Sequence, residues 1–190
     1  MDMQASRQLR VTQQQAWDAL NDPKVLQVCI PGCEKIESSA ADQYVVGVAV
    51  KIGPVSAKFN GKIRLGEIHA PNSYTISFDG QGGAAGFGKG TAKVALAPRE
   101  SGCELTYTVH AQVGGKIAQL GQRLVDGAAK GMAEDFFRRF DDEMQRLYPP
   151  VGALEQSIAP VAVAATARQV PMWVWVAGGV LLLLVWWLSR

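Results

Sequence analysis

The sequence predicts an α+β fold in which an antiparallel sheet wraps around a long helix, with a transmembrane helix closing the chain. Three observations carry this. Six extended segments with turn residues between them follow one another from Cys33 to Gln112. A single helical period runs from Lys116 to about Leu147. Met172 to Leu188 is an unbroken run of 17 apolar residues, in a stretch that carries no charge between Arg168 and Arg190.

The order of elements follows from local signals. "MQASRQLRV" reads as a first strand. Thr12 reads as a helix cap for "QQQAWDALNDP", where Trp17 and Leu20 share a face before Asp22 and Pro23 stop the helix. A short helical turn, "KVLQVC", leads to Pro31 and Gly32. The strands are then expected at Cys33–Ser38, Gln43–Ile52, Val55–His69, Ser73–Gly80, Phe87–Pro98 and Cys103–Gln112. In the third of these, Val55, Ala57, Phe59, Ile63 and Leu65 alternate with Lys58, Lys62 and Arg64, so one face is dry and the other wet. Tyr74, Ile76 and Phe78, and Leu105, Tyr107 and Val109, repeat the pattern.

The dry face needs a cover, and the helical stretch supplies it through Ile117, Leu120, Gly121, Leu124, Ala128 and Met132, spaced by three and four. The middle of that helix is small: Gly121, Gly127, Ala128, Ala129 and Gly131 lower helix stability or leave no bulk. Either backbones approach closely there, or space is left between helix and sheet. In the second case the glycine-dense "DGQGGAAGFGKG" is expected to form a mobile rim beside a cavity. It lacks the strand, glycine spacing and helix N-terminus of a phosphate cradle.

At 1.5 Å per residue, the C-terminal apolar run covers roughly 25 Å of a hydrocarbon layer about 30 Å thick. Trp173 and Trp175 mark one end and Trp186 and Trp187 the other, as expected of rings at two lipid boundaries. "MDMQASRQLR" has no apolar core of a signal peptide, so the large domain is expected on the cytoplasmic side of the inner membrane, held by a single-pass anchor. The Ala-, Pro- and Val-rich segment from Pro149 to Pro171 reads as a flexible tether. The expected division is therefore residues 1–148 as a folded domain, 149–171 as linker and 172–188 as membrane span.

Without residues 149–190 the chain holds 17 basic and 16 acidic residues, with no like-charge block, which argues against a nucleic-acid partner. Three cysteines without an export signal argue against a disulfide framework. "CIPGC" offers two thiols with no histidine nearby, so no metal site is expected.

The element order is that of START-like helix-grip domains. "AWDALNDPKVLQVCIPGCEKI", "VKIGPVSAKFNGKIRL", "GFGKGTAKVAL" and "VGGKIAQLGQRLVDGAAKGMAEDFFRRF" together resemble the CoxG family, the G subunits of carbon monoxide dehydrogenases, over roughly residues 1 to 146. The resemblance implies work with a molybdenum-containing carbon monoxide dehydrogenase or a related hydroxylase, recruitment of that enzyme to the lipid bilayer and, in some members, quinone binding. It assigns no catalytic residue. The residues agree, because the inward faces bring no acid and base together. Asp126, Glu134 and Asp135 read as a solvated flank among Arg123, Lys130, Arg138 and Arg139.

The expected function is that of a membrane-tethered accessory protein, not an enzyme. It takes a quinone (menaquinone or ubiquinone) or a similar isoprenoid lipid from the bilayer into the cavity and presents it to a docked oxidoreductase; no covalent cofactor is expected. The expected lining is Trp17, Phe59, Ile63, Tyr74, Phe78, Leu105, Tyr107, Leu120, Leu124 and Met132, each of which reads equally as core packing. Tyr74 and Tyr107 can donate a hydrogen bond to a quinone carbonyl. The alternative is a structural anchor without a ligand. A cyclase or hydrolase is a third reading, with no catalytic group to support it.

Overall fold

In the computed structural model, which describes residues 1–149, Thr12 opens the first helix as its sequence predicts. Its hydroxyl accepts the Gln15 N–H at 3.2 Å while the Gln15 side chain accepts the Thr12 N–H at 2.9 Å. This helix, α1, spans Gln13–Leu20 and follows a first strand, β1, at Asp2–Leu9. Asp22 and Pro23 do more than stop it. Asp22 accepts the Lys24 N–H at 2.8 Å and Pro23 occupies the first position of α2, Pro23–Cys29.

Six further strands follow: β2 Cys33–Ala40, β3 Gln43–Ile52, β4 Val55–His69, β5 Ser73–Gln81, β6 Phe87–Arg99 and β7 Gly102–Gly114. They form one antiparallel sheet in the order β1-β7-β6-β5-β4-β3-β2. The expected alternation along β4 is present, with Val55, Ala57, Phe59, Ile63 and Leu65 partly covered and Lys58, Lys62 and Arg64 exposed.

The long helix is not continuous. A short α3, Lys116–Gln119, ends at Leu120, and α4, Gln122–Leu147, starts after Gly121 at φ +92°, a conformation that side-chain-bearing residues rarely adopt. The interruption resets the helical phase. Val125 instead of Leu124 turns inward, followed along α4 by Phe137, Phe140, Glu143 and Met144. Gly127 and Gly131 lie on the exposed face, where a Cβ would meet nothing within 4 Å. Neither a close approach nor an internal space explains them, which corrects both expectations for this stretch.

Buried side chains form two clusters. One gathers Leu9, Trp17, Cys29, Tyr74, Leu96, Cys103, Leu105, Phe137, Phe140 and Met144 between the sheet, α1, α2 and the C-terminal half of α4. The other joins Ile52, Ala85, Ile117 and Val125 at the opposite end of α4. The glycine-dense segment belongs to this second cluster: it forms a single 3-10 turn at Gly83–Ala85, with Ala85 buried and Gly86 so near Gly114 that a Cβ would lie 1.9 Å from the Gly114 carbonyl oxygen. It does not rim the cavity described below. The linker beyond Pro149 and the expected span at 172–188 lie outside the described residues. Among the described residues no helix is long and apolar enough to cross a membrane.

Candidate functional site

A cavity of about 250 Å³ opens between the dry face of the sheet and the C-terminal half of α4. Its floor is built by strand register. Tyr74, Val94 and Tyr107 form one cross-strand row, and Leu65, Ile76 and Ala92 form the next. Leu105 and Ile63 come from the rows on either side, while Phe136 and Phe137 of α4 form the roof. Leu20, Leu26 and Ile30 from the paired short helices close one side, and Ile36 and Tyr44 from β2 and β3 another.

Aromatic contacts fix these walls. Trp17 meets Tyr74 edge-on, with ring centroids 5.3 Å apart and planes at 87°. Tyr107 stacks on Phe137 at 5.4 Å, and Phe136 packs edge-on against Phe137 at 5.1 Å and parallel to Phe140 at 5.8 Å. Rings held by such contacts sit in defined orientations and do not collapse into a neighbouring space.

Of the ten residues expected to line a cavity, Ile63, Tyr74, Leu105 and Tyr107 are brought together here. Trp17 is one layer behind, supporting Tyr74. Phe59 and Leu120 pack on the second cluster, where the Phe59 ring covers Gly82 so closely that a Cβ there would stand 2.4 Å from its edge. Phe78 is half-buried and borders polar grooves with Asp79, Lys89 and Lys62 instead. Met132 is half-buried away from the cavity. Leu124 is 44% exposed and lies over Gly53, an outward placement that follows from the phase change at Gly121. The expected lining lacks Leu20, Leu26 and Ile30 from the short helices, Ile36 and Tyr44, the floor residues Leu65, Ile76, Ala92 and Val94, and the roof. "DFFRRF" held the signal for the roof, since Phe136, Phe137 and Phe140 concentrate bulk on one side of α4.

Among the described residues, no His, Asp, Glu, Lys or Arg lines the cavity. The polar side chains among its lining residues are those of Tyr44, Tyr74 and Tyr107. Burial pushes the Tyr74 phenol well above its ordinary range, and burial followed by the charges of Asp42 and Asp22 raises Tyr44. Nearby ionisable groups are tied up elsewhere. Glu143, 10% exposed in its side chain, accepts two hydrogen bonds from Arg146 at 2.8 and 2.6 Å, which hold its carboxyl below the usual range. Cys29 is fully buried, and burial, with help from Glu143, pushes its thiol up to about 11. Among the described residues no group of three His, Cys, Asp or Glu could hold a metal. Asp135 pairs with Arg138 and Arg139 on the helix flank. What the arrangement suits is the enclosure of a flat, neutral, largely apolar ring.

Comparison with known proteins adds three findings. A family profile described as the G subunit of carbon monoxide dehydrogenase (CoxG) matches residues 6–145. No curated protein matches the chain. Among solved structures, a conserved protein from Geobacillus kaustophilus is 34% identical with a TM-score of 0.73, covering 77% of this chain and 96% of its own. A Streptomyces aromatase/cyclase, Zhui, is 12% identical at TM-score 0.55, covering 78% of this chain and 96% of its own. A Thermus thermophilus protein, also 12% identical, reaches TM-score 0.59 with 78% and 99% covered. At those lower identities the likeness is one of fold alone, the START-like fold expected from the element order. The Geobacillus chain is thus matched over nearly its whole length by about three quarters of this one, and residues 1–149 here belong to one compact unit.

Proposed function

This chain belongs to the CoxG family of carbon monoxide dehydrogenase subunits, and from that premise we propose that it is an accessory protein that recruits a molybdenum hydroxylase of the carbon monoxide dehydrogenase type to the cytoplasmic face of the inner membrane and binds a quinone in its cavity. The C-terminal apolar run, Met172 to Leu188, provides the attachment, and the segment before it the tether. The ligand is menaquinone, ubiquinone or a similar isoprenoid. No catalytic step is assigned to the chain.

The dry cavity carries this reading. It is smaller than the ~300–1,000 Å³ of common ligand sites, so it takes a ring and leaves a long tail outside. A tail that stays in lipid gives up no apolar contact, and ring transfer between bilayer and protein is then close to balanced. Reversible exchange needs that balance.

Trp17 offers the test, because it is the one tryptophan before residue 173 and stands against Tyr74 of the cavity wall. Titrating a chain that ends at Pro149 with a short-tailed quinone is expected to quench Trp17 emission saturably. The cavity's modest volume favours a second reading, an anchor with no ligand. Absence of saturable quenching, together with no quinone co-purifying with the full chain from membranes, removes the ligand and leaves that anchor.

A further inference from the structure

We infer that Tyr74 determines the specificity of the cavity, its hydroxyl selecting a flat neutral ring that carries a carbonyl over a hydrocarbon of the same shape. The inference rests on the cavity being a binding site, and it adds which chemistry the site accepts and which atom decides.

Three tyrosines reach the cavity, and they differ in what surrounds them. Tyr44 and Tyr107 are half-buried, so water can satisfy their hydroxyls. Tyr74 is 5% exposed. None of the described residues forms a hydrogen bond with its hydroxyl. That oxygen is nevertheless not sealed in, because the described side-chain atoms that are both enclosed and unpartnered are Arg7 Nε and Asp126 Oδ1. Tyr74 itself lines the cavity. Edge-on contact with Trp17 holds the ring in place, so the hydroxyl is a fixed donor inside an apolar wall.

The chemistry of the lining then narrows the ligand. A carboxylate or phosphate needs a cation, and among the described residues no Lys, Arg or His lines the cavity. An aliphatic chain fits the dry wall but leaves a desolvated phenol without a partner, which is unfavourable. A ring ketone or quinone satisfies both, since its carbonyl oxygen accepts from the phenol and its ring fills the apolar remainder. Burial raises the Tyr74 phenol, so it keeps its proton and acts as donor throughout the neutral range.

Calorimetric titration of a chain ending at Pro149 tests this with two probes: menadione, a naphthoquinone without a tail, and methylnaphthalene, a hydrocarbon of the same ring system. Wild-type protein is expected to bind menadione about tenfold more tightly, the worth of one well-placed hydrogen bond in a dry site. Tyr74→Phe should bring the two affinities within about twofold while methylnaphthalene binds as before, and Tyr107→Phe should preserve the preference. The inference is overturned if wild-type protein binds both probes equally, a result that needs no variant, or if Tyr74→Phe keeps the preference. Binding of neither probe by wild-type protein refutes the cavity as a binding site, and this inference with it.

Discussion

The two apolar clusters of this domain differ in make-up, and the apolar cavity lies in the one richer in aromatic rings. Around the cavity stand Trp17, Tyr74, Tyr107, Phe136, Phe137 and Phe140. At the other end of α4 the buried residues are Ile52, Ala85, Ile117 and Val125, with glycines letting the chain close to backbone contact at Gly86 and Gly114. At Gly86 and Gly114 the missing side chains let two backbones close together and open no space between them. Rings that brace one another edge-on and face-to-face keep two layers apart, and the gap between them is the candidate site.

Truncation should separate the clusters most strongly. Phe140 is completely buried, and Phe140→Ala is expected to destabilise a chain ending at Pro149 by about 3–5 kcal/mol in denaturant unfolding. Val125→Ala in the small-residue cluster should cost about 1.5–2 kcal/mol, by the apolar surface lost. Equal costs would show that the two ends are packed alike. Next in size is filling the gap: Ala92→Leu adds bulk between Ile76 and Val94 of the floor, and is expected to cost about 1–3 kcal/mol while abolishing quinone quenching of Trp17. Leu120→Phe, placed in the other cluster, should leave quenching intact.

A smaller effect has the opposite sign. Gly127→Ala and Gly131→Ala should each stabilise by about 0.5–1 kcal/mol, since both positions are exposed and uncrowded in a helix interior. A loss of stability would mean that these glycines serve a contact. The smallest change concerns acid. Arg146 depresses the Glu143 carboxyl in the folded state, so its contribution is present above the unfolded value of about 4.3 and disappears as pH falls through the lower folded one. Unfolding curves between pH 5 and about 2.5 should therefore show a shallower decline for Glu143→Gln than for wild type. Asp141, raised by burial, acts in the reverse sense, so Asp141→Asn should gain on wild type as pH rises.

Strands were the most legible part of the sequence. The bounds of β3 and β4 agree with the alternation and turn residues to the residue, because side-chain period, Gly53 and Pro54 are all local signals. The helix after residue 115 was legible only as a helix. Its apolar period runs through Gly121 unbroken on paper, and only the left-handed backbone there shifts the face from Leu124 to Val125. The site was half legible for the same reason. Floor residues Tyr74, Leu105 and Tyr107 followed from strand period, whereas Ile36, Leu26 and Ile30 reach the cavity through the placement of short helices and an edge strand, which no local pattern encodes.

The pairing of β1 with β7 joins Leu9 to Cys103, and the Met1 amino group donates to the Ala111 carbonyl at 3.0 Å. The strand translated first is thus the one that must wait longest. Until residues 103–111 emerge from the ribosome, Leu9 and Val11 have no sheet to join, and the nascent chain carries them unsheltered. Messages truncated upstream of that point should yield products that chaperones hold and proteases remove, whereas the seam closes before the apolar tail of the chain is made.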